Sequence, residues 1–227
     1  MSHKSRKEVK QMILKRMRLN VGDSHITNCY IVQDEETKET MVVDPGAEAY
    51  KVIEMIKILE GKLKYIVLTH CHADHIGGVN EIKNELGGKI LIHRDDAEGI
   101  KNPEISLTNV IGKEPNLVVE ADSRLDDGDV IHIGKLEFRI IHTPGHTKGG
   151  ICLYNEQEKL LLSGDTLFRG TWGRTDLPTS SPVDIMHSIM NKLLILPEDT
   201  IIYPGHGKSS RIEDEEPIYF NLQPRKE

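Results

Sequence analysis

Three histidines and an aspartate occupy six consecutive positions in "LTHCHADHIGG", residues 68–78, directly after the apolar run "KYIVL". Imidazoles and carboxylates are poor core formers, so a buried strand that runs out into them constrains the fold. The strand must end at an edge where those side chains meet something polar. The pattern recurs at other strand ends: His142 and His146 in "RIIHTPGH", Asp165 in "LLLSGDT" and His206 in "IIYPGHG". Gly145, Gly164, Gly205 and Gly207 flank these residues and let the backbone turn tightly there. A site built from loops along one edge of a rigid sheet is expected.

The rest of the pattern supplies the layers. "NCYIV" and "TMVVD" read as a hairpin across "QDEETKE". Residues 47–60 place Ala49, Val52, Ile53, Ile56 and Leu59 at helical spacing. A strand over 65–70, a helix over 77–86 and a strand over 89–93 follow, an alternation that predicts layered α/β architecture. The stretch from about 100 to 122 is irregular. Hairpins flanking Gly134 and "NEQE" come next, then an amphipathic helix over 183–195 and a strand over 200–206. Two packed sheets with helices outside satisfy this order. All 227 residues are read as one domain, with a basic arm over about 1–11 that leads into an edge strand.

The net charge of −7 argues against nucleic acid as a partner. No apolar run approaches the roughly 18 residues of a membrane span, and the start lacks a secretory h-region. Three scattered cysteines make no disulfide framework, so a reducing, cytoplasmic location is expected. The pattern leaves oligomeric state open.

His70, His72, Asp74 and His75 form an H-x-H-x-D-H cluster. Neutral imidazole with carboxylate suits zinc, iron or manganese. One ion does not easily take four ligands from six residues, so a pair of ions is expected, each completed by a distant residue. Cys71 faces away if its two neighbours face the metal. His3, His25, His93, His132 and His187 read as ordinary hydrogen-bonded histidines, and His142 as a strand residue.

"THCHADHIGG", "HTPGHTKGG", "SGDTLF" and "YPGHG", in that order, resemble the metallo-β-lactamase superfamily from about residue 12 to 220. The resemblance implies a four-layered αββα sandwich with a metal site on one edge. It implies that His70, His72 and His146 hold one divalent ion, that Asp74, His75 and His206 hold a second, and that Asp165 bridges them. The chain looks most like the glyoxalase II (hydroxyacylglutathione hydrolase) group, where "GDTLF" precedes a glycine-rich segment such as "RGTWGRTDLP". That group implies hydrolysis of a small thioester by a metal-bridging hydroxide oriented by Asp74, since a metal brings the pKa of bound water from 15.7 to about 7. Only 21 residues follow His206, so the tail resembles short-form enzymes without the helical region that binds glutathione. Substrate contacts are expected from Arg169, Trp172 and Arg174, with Lys148 as a further candidate. "THCHADH" and "GRTD" also resemble persulfide dioxygenases, an alternative in which His70, His146 and Asp165 hold a single iron.

Overall fold

Alternating side chains along the strands build three stacked hydrophobic layers, and these set the architecture. The computed structural model describes residues 12–22, 25–111 and 117–220; the expected basic arm over 1–11 lies outside them. The first half runs β1 (Met12–Gly22), β2 (His25–Asp34), β3 (Glu39–Val43), α1 (Ala49–Ile58), β4 (Lys62–Val67), α2 (Ala73–Ile76), α3 (Val79–Leu86), β5 (Lys89–His93), α4 (Pro103–Ser106) and β6 (Ser123–Leu125). These strands form a six-stranded sheet in sequence order. β1 to β3 pair antiparallel, and β3 to β6 pair parallel through helical crossovers.

The second half runs β7 (Val130–Ile133), β8 (Leu136–His142), β9 (Ile151–Asn155), β10 (Leu160–Gly164), β11 (Leu167–Phe168), β12 (Thr171–Trp172), α5 (Pro182–Ser188), β13 (Ile201–Pro204), β14 (Ser210–Arg211) and α6 (Ile212–Phe220). Its main sheet has the order β14-β13-β10-β9-β8-β7, while β11 and β12 pair apart from it.

Between the sheets, Tyr30, Val32, Met41, Val43 and Val67 meet Phe138, Ile140, Leu153 and Leu162. The opposite face of the first sheet, with Ile31, Val42, Ile66 and Ile90, packs on Val52, Ile56, Val79 and Ile82 of α1 and α3. The outer face of the second sheet, with Ile141, Cys152, Leu161 and Ile202, packs on Ile185, Ile189 and Leu193. Burial on both faces explains why strands such as β3 and β10 read as near-continuous apolar runs. The layers are helix, sheet, sheet, helix, the expected αββα sandwich.

Two boundaries differ from the sequence reading. The strand expected over 65–70 leaves the sheet sooner. Leu68 N still donates to Leu91 O, but Thr69 N donates to the Asp44 carboxylate instead of a ladder carbonyl. The helix expected over 183–195 is α5 followed by a wider π turn over Ile189–Leu193. Ser188 Oγ donates to Pro144 O and Lys192 Nζ to His142 O, which pins this segment onto the loop carrying His146. β6, β11, β12 and β14 are two or three residues long, too short to show any period.

Phe138 is fully buried at the inter-sheet seam. Phe138→Ala is expected to cost about 3–5 kcal/mol in denaturant unfolding of the metal-free protein. A loss near that of a surface substitution would show that the two sheets do not share one core.

Candidate metal centre

The candidate ligands all follow the C-terminal ends of strands: β4 for His70 to His75, β8 for His146, β10 for Asp165 and β13 for His206. Their side chains converge at the seam between the two sheets. His70, His72, Asp74, His75 and His146 are buried, Asp165 is nearly so, and His206 is half-buried. The local fold explains the compact motif. His72 is extended (φ −72°, ψ 150°), and the chain then enters the single turn of α2, which carries Asp74 and His75. The extended reach therefore ends at residue 72, and a helical turn presents the next pair.

Two groups emerge. His70, His72 and His146 bring one ring nitrogen each within 4.8 Å of the others. The second comprises Asp74, His75 and His206. His206 Nε2 lies 3.2 Å from Asp74 Oδ2, His75 Nε2 lies 3.6 Å from the same oxygen, and the two Nε2 atoms are 3.4 Å apart. A tetrahedral ion with bonds of 2.0–2.1 Å separates its ligands by about 3.3–3.4 Å, so this spacing fits a divalent cation. Asp165 spans both groups. Its Oδ2 is 3.5 Å from His146 Nε2 and 3.3 Å from His206 Nε2, and its Oδ1 is 3.5 Å from His75 Nε2. Within the cluster His70 Nε2, His72 Nε2 and Asp165 Oδ1 are buried without a hydrogen-bond partner, and for His70 Nε2 and Asp165 Oδ1, which face the other donors, a bound cation would supply one.

Hydrogen bonds to the outer ring nitrogens select the tautomers. His75 Nδ1 donates to Asp44 Oδ2 at 2.9 Å, His146 Nδ1 to Arg174 O at 2.8 Å and His206 Nδ1 to Ile26 O at 2.8 Å. Thr69 Oγ1 donates to Asp44 Oδ2 at 2.6 Å, so its lone pair accepts from His70 Nδ1 at 3.1 Å. Each bond turns Nε2 inward, where its lone pair is available once any proton there has left. His72 differs: its Nδ1 faces His146 Nε2 at 2.9 Å.

Asp44 was not singled out from the sequence, although it follows the same rule of an acidic residue where an apolar run meets Pro-Gly. It adopts the left-handed region, φ 54°, which turns its carboxylate back toward Thr69 and His75. Thr27, which donates to Asp74 Oδ2 at 3.3 Å, had no local signal at all. Glycine is required at two approaches. A Cβ on Gly205 would lie 2.2 Å from Asp165 Oδ1, and one on Gly46 would lie 1.6 Å from Asp74 O.

Arg169 and Lys148 are exposed, and Trp172 is half-buried beside Tyr219 with ring centroids 5.7 Å apart. The Arg174 guanidinium forms a bidentate pair with Asp176 at 2.7 and 2.8 Å. Cys71 is buried in the core of the first half, its sulfur against Gly99 rather than among the ligands. His142 ends β8, stacks on His93 at 3.9 Å and donates from Nε2 to Lys148 O.

Electrostatics divides the two groups. Burial, reinforced by neighbouring imidazoles, holds His70 well below its ordinary value and His72 down to about 3. Burial also disfavours charge on His75 and His206, but carboxylates outweigh it. Asp74, Asp165 and Asp44 raise His75, while Asp165 and Asp74 raise His206 to about 10. Asp74 and Asp165 are lowered in turn: burial opposes their ionisation, and the facing histidines overcome it.

A helix–sheet–sheet–helix sandwich with a buried His/Asp cluster at one edge of its sheets defines a class of divalent-metal proteins, most of them hydrolytic. The chain belongs to the metallo-β-lactamase superfamily, whose family model matches residues 22–206. Among curated relatives, it is 40% identical over 190 residues to an uncharacterized protein of Aquifex aeolicus, covering 83% of this chain and 88% of that one. It is 34% identical over 190 residues to the hydroxyacylglutathione hydrolase GloC of Haemophilus influenzae, covering 83% and 89%. Among solved structures, it is similar to the B3 metallo-β-lactamase BLEG-1, with TM-score 0.81, 32% identity and coverage of 89% and 95%. It is also similar to TTHA1623 in a di-iron-bound form, with TM-score 0.75, 28% identity and coverage of 87% and 96%. ETHE1 from Myxococcus xanthus shares the fold at TM-score 0.71 and 22% identity, covering 94% and 92%. No helix among the described residues is long and apolar enough to cross a membrane.

Two outcomes are expected. Gly205→Ala should push Asp165 aside and lower bound metal by at least one equivalent, read by elemental analysis; unchanged content would show that the cradle yields. Loading should also release protons. His206 sits above its unfolded value, so the metal-free protein holds that proton below about pH 10, and an incoming ion must displace it. Affinity at the Asp74–His75–His206 group should therefore rise with pH up to about 10. His206→Ala protein, which keeps the three-histidine group, should release fewer protons per ion in a weakly buffered indicator assay.

Proposed function

We propose that this chain is a dinuclear metallohydrolase that cleaves a small thioester in the manner of glyoxalase II. The observation that carries the reading is the position of Asp165, within 3.5 Å of ring nitrogens from both groups. A carboxylate so placed supports the reading that two ions would be held here, one by His70, His72 and His146 and the other by Asp74, His75 and His206, with Asp165 shared. Such a pair would supply a water acidic enough to attack at neutral pH and positive charge for the oxyanion formed from the carbonyl.

The chain's own groups do the rest. Asp74 is the catalytic residue of this reading. Its Oδ2 accepts from Thr27 and faces His206, which fixes the carboxylate beside the second group, where it would orient the attacking water. His75 and His206 are locked by Asp44 and Ile26 O, so the centre need not reorganise as charge develops. Arg169, Lys148, Trp172 and Arg174 are the proposed substrate contacts. Arg174 meets a substrate carboxylate only by exchanging it for Asp176, a weak barrier because both partners are exposed. The 34% identity to GloC of Haemophilus influenzae supports a thioester as substrate. The cytoplasm is the proposed location, and divalent zinc, iron or manganese the proposed metal.

The deciding experiment loads metal-free protein with zinc alone and follows a small hydroxyacyl thioester without oxygen. Turnover is expected, with a loss of at least about 100-fold in His206→Ala, the order seen when oxyanion stabilisation is removed. Asp165→Ala should lose metal and turnover together, whereas Arg174→Ala should keep metal and mainly raise KM. Oxygen uptake with a persulfide, tied to iron and indifferent to His206→Ala, would replace the hydrolase with the dioxygenase. Preferential opening of a β-lactam would move the assignment to the reaction named for BLEG-1.

A further inference from the structure

Four of the five histidines in the centre have a fixed partner on the outer ring nitrogen: Thr69 for His70, Asp44 for His75, Arg174 O for His146 and Ile26 O for His206. His72 has none. Its Nδ1 faces the centre, and its Nε2 is buried with no hydrogen-bond partner. Apart from contacts with the His70 and His146 rings, its orientation comes from its backbone.

That backbone is held by a carboxylate from another element. Asp96 follows β5 and is 1% exposed. Its Oδ2 accepts from Cys71 N, one residue before His72, at 3.1 Å. The same oxygen accepts from Thr147 Oγ1, one residue after His146, at 2.6 Å, and Oδ1 accepts from Gly149 N at 2.8 Å. The fit is tight. A Cβ on Gly149 would lie 2.4–2.7 Å from Asp96 atoms. One buried carboxylate thus ties the loop of His72 to the loop of His146, and only neutral donors, the Cys71 thiol among them, face it. In the second group Asp74 instead accepts from Thr27, and His75 and His206 donate to Asp44 and Ile26 O.

We propose that Asp96 is the positioning residue of the three-histidine site, setting the separation of His72 and His146 and hence the affinity of that site alone. The proposal rests on the ligand assignment above, but not on the identity of the substrate. A bond that fixes a ligand's backbone stands in for the missing partner on its ring. Loss of such outer partners typically costs 10- to 100-fold in metal affinity.

The test is a cobalt(II) titration of metal-free protein, followed by absorption and by the paramagnetically shifted imidazole N–H resonances in proton NMR. His206→Ala serves as the reference with a damaged second group. Two ions bound by the parent confirm the ligand assignment itself; fewer would fault that assignment separately. Asp96→Asn keeps the shape but turns an amide N–H₂ toward donors, and Thr147→Val removes the 2.6 Å bond while leaving Asp96 in place. Both variants are expected to weaken the three-histidine ion, by about 10- to 100-fold for Asp96→Asn and less for Thr147→Val. The N–H signals of His70, His72 and His146 should shift or broaden, while the ion at Asp74–His75–His206 stays within about threefold. A merely structural role would weaken both ions together, in step with a fall in the melting temperature of the metal-free protein. That result, or parent-like affinity at both sites in both variants, would overturn the proposal.

Discussion

A cluster of imidazoles and carboxylates buried between two apolar sheets is costly unless every polar atom has a partner, and this requirement organises the structure. The outer nitrogens of His70, His75, His146 and His206 each find an acceptor in the protein. The inner nitrogens meet the carboxylates of Asp74 and Asp165 or converge on one another. The same bonds that make burial tolerable also select tautomers and aim lone pairs. Stability and ligand geometry therefore share the same hydrogen bonds.

The sandwich supplies what loops alone lack, which is registration between segments distant in sequence. Asp44 ends β3, yet it holds Thr69 and His75 beyond β4 because β3 and β4 are parallel neighbours with aligned ends. Ile26 at the start of β2 supports His206 after β13, which joins the two sheets across the seam. Close packing then removes slack. Gly46 lets the loop after β3 press against α2, and Gly205 lets the loop after β13 press against Asp165. In both places even one methyl group would collide with the centre.

The two halves of the centre differ in charge. His70 and His72 are neutral because burial and like neighbours disfavour a proton. His75 and His206 retain one because Asp74 and Asp165 face them. In the metal-free protein, ionised carboxylates and protonated histidines thus form internal ion pairs where a cation would otherwise balance the acids.

Much of this was legible in the sequence. Apolar runs of four to six residues ending in Gly, Pro, His or Asp gave the main strands, their layering and the edge that carries the site, because strand burial and turn chemistry are local properties. The donor types followed from the same motifs. Two-residue strands such as β11 and β14 left no period to read, and the early exit of β4 depended on Asp44, 25 residues away from Thr69. Asp44 carried a local mark, an acid where an apolar run meets Pro-Gly, whereas Thr27 and Asp96 act through space on segments fixed by strand pairing, and nothing in their own neighbourhoods marks that role. The sequence by itself determined which side chains could bind a cation and that strands would deliver them to an edge. The division into two groups and the place of Asp165 between them were implied by the resemblance; tertiary structure alone decided which nitrogen each histidine presents and which residues hold its outer nitrogen, because those depend on distances between strands that never meet in the chain.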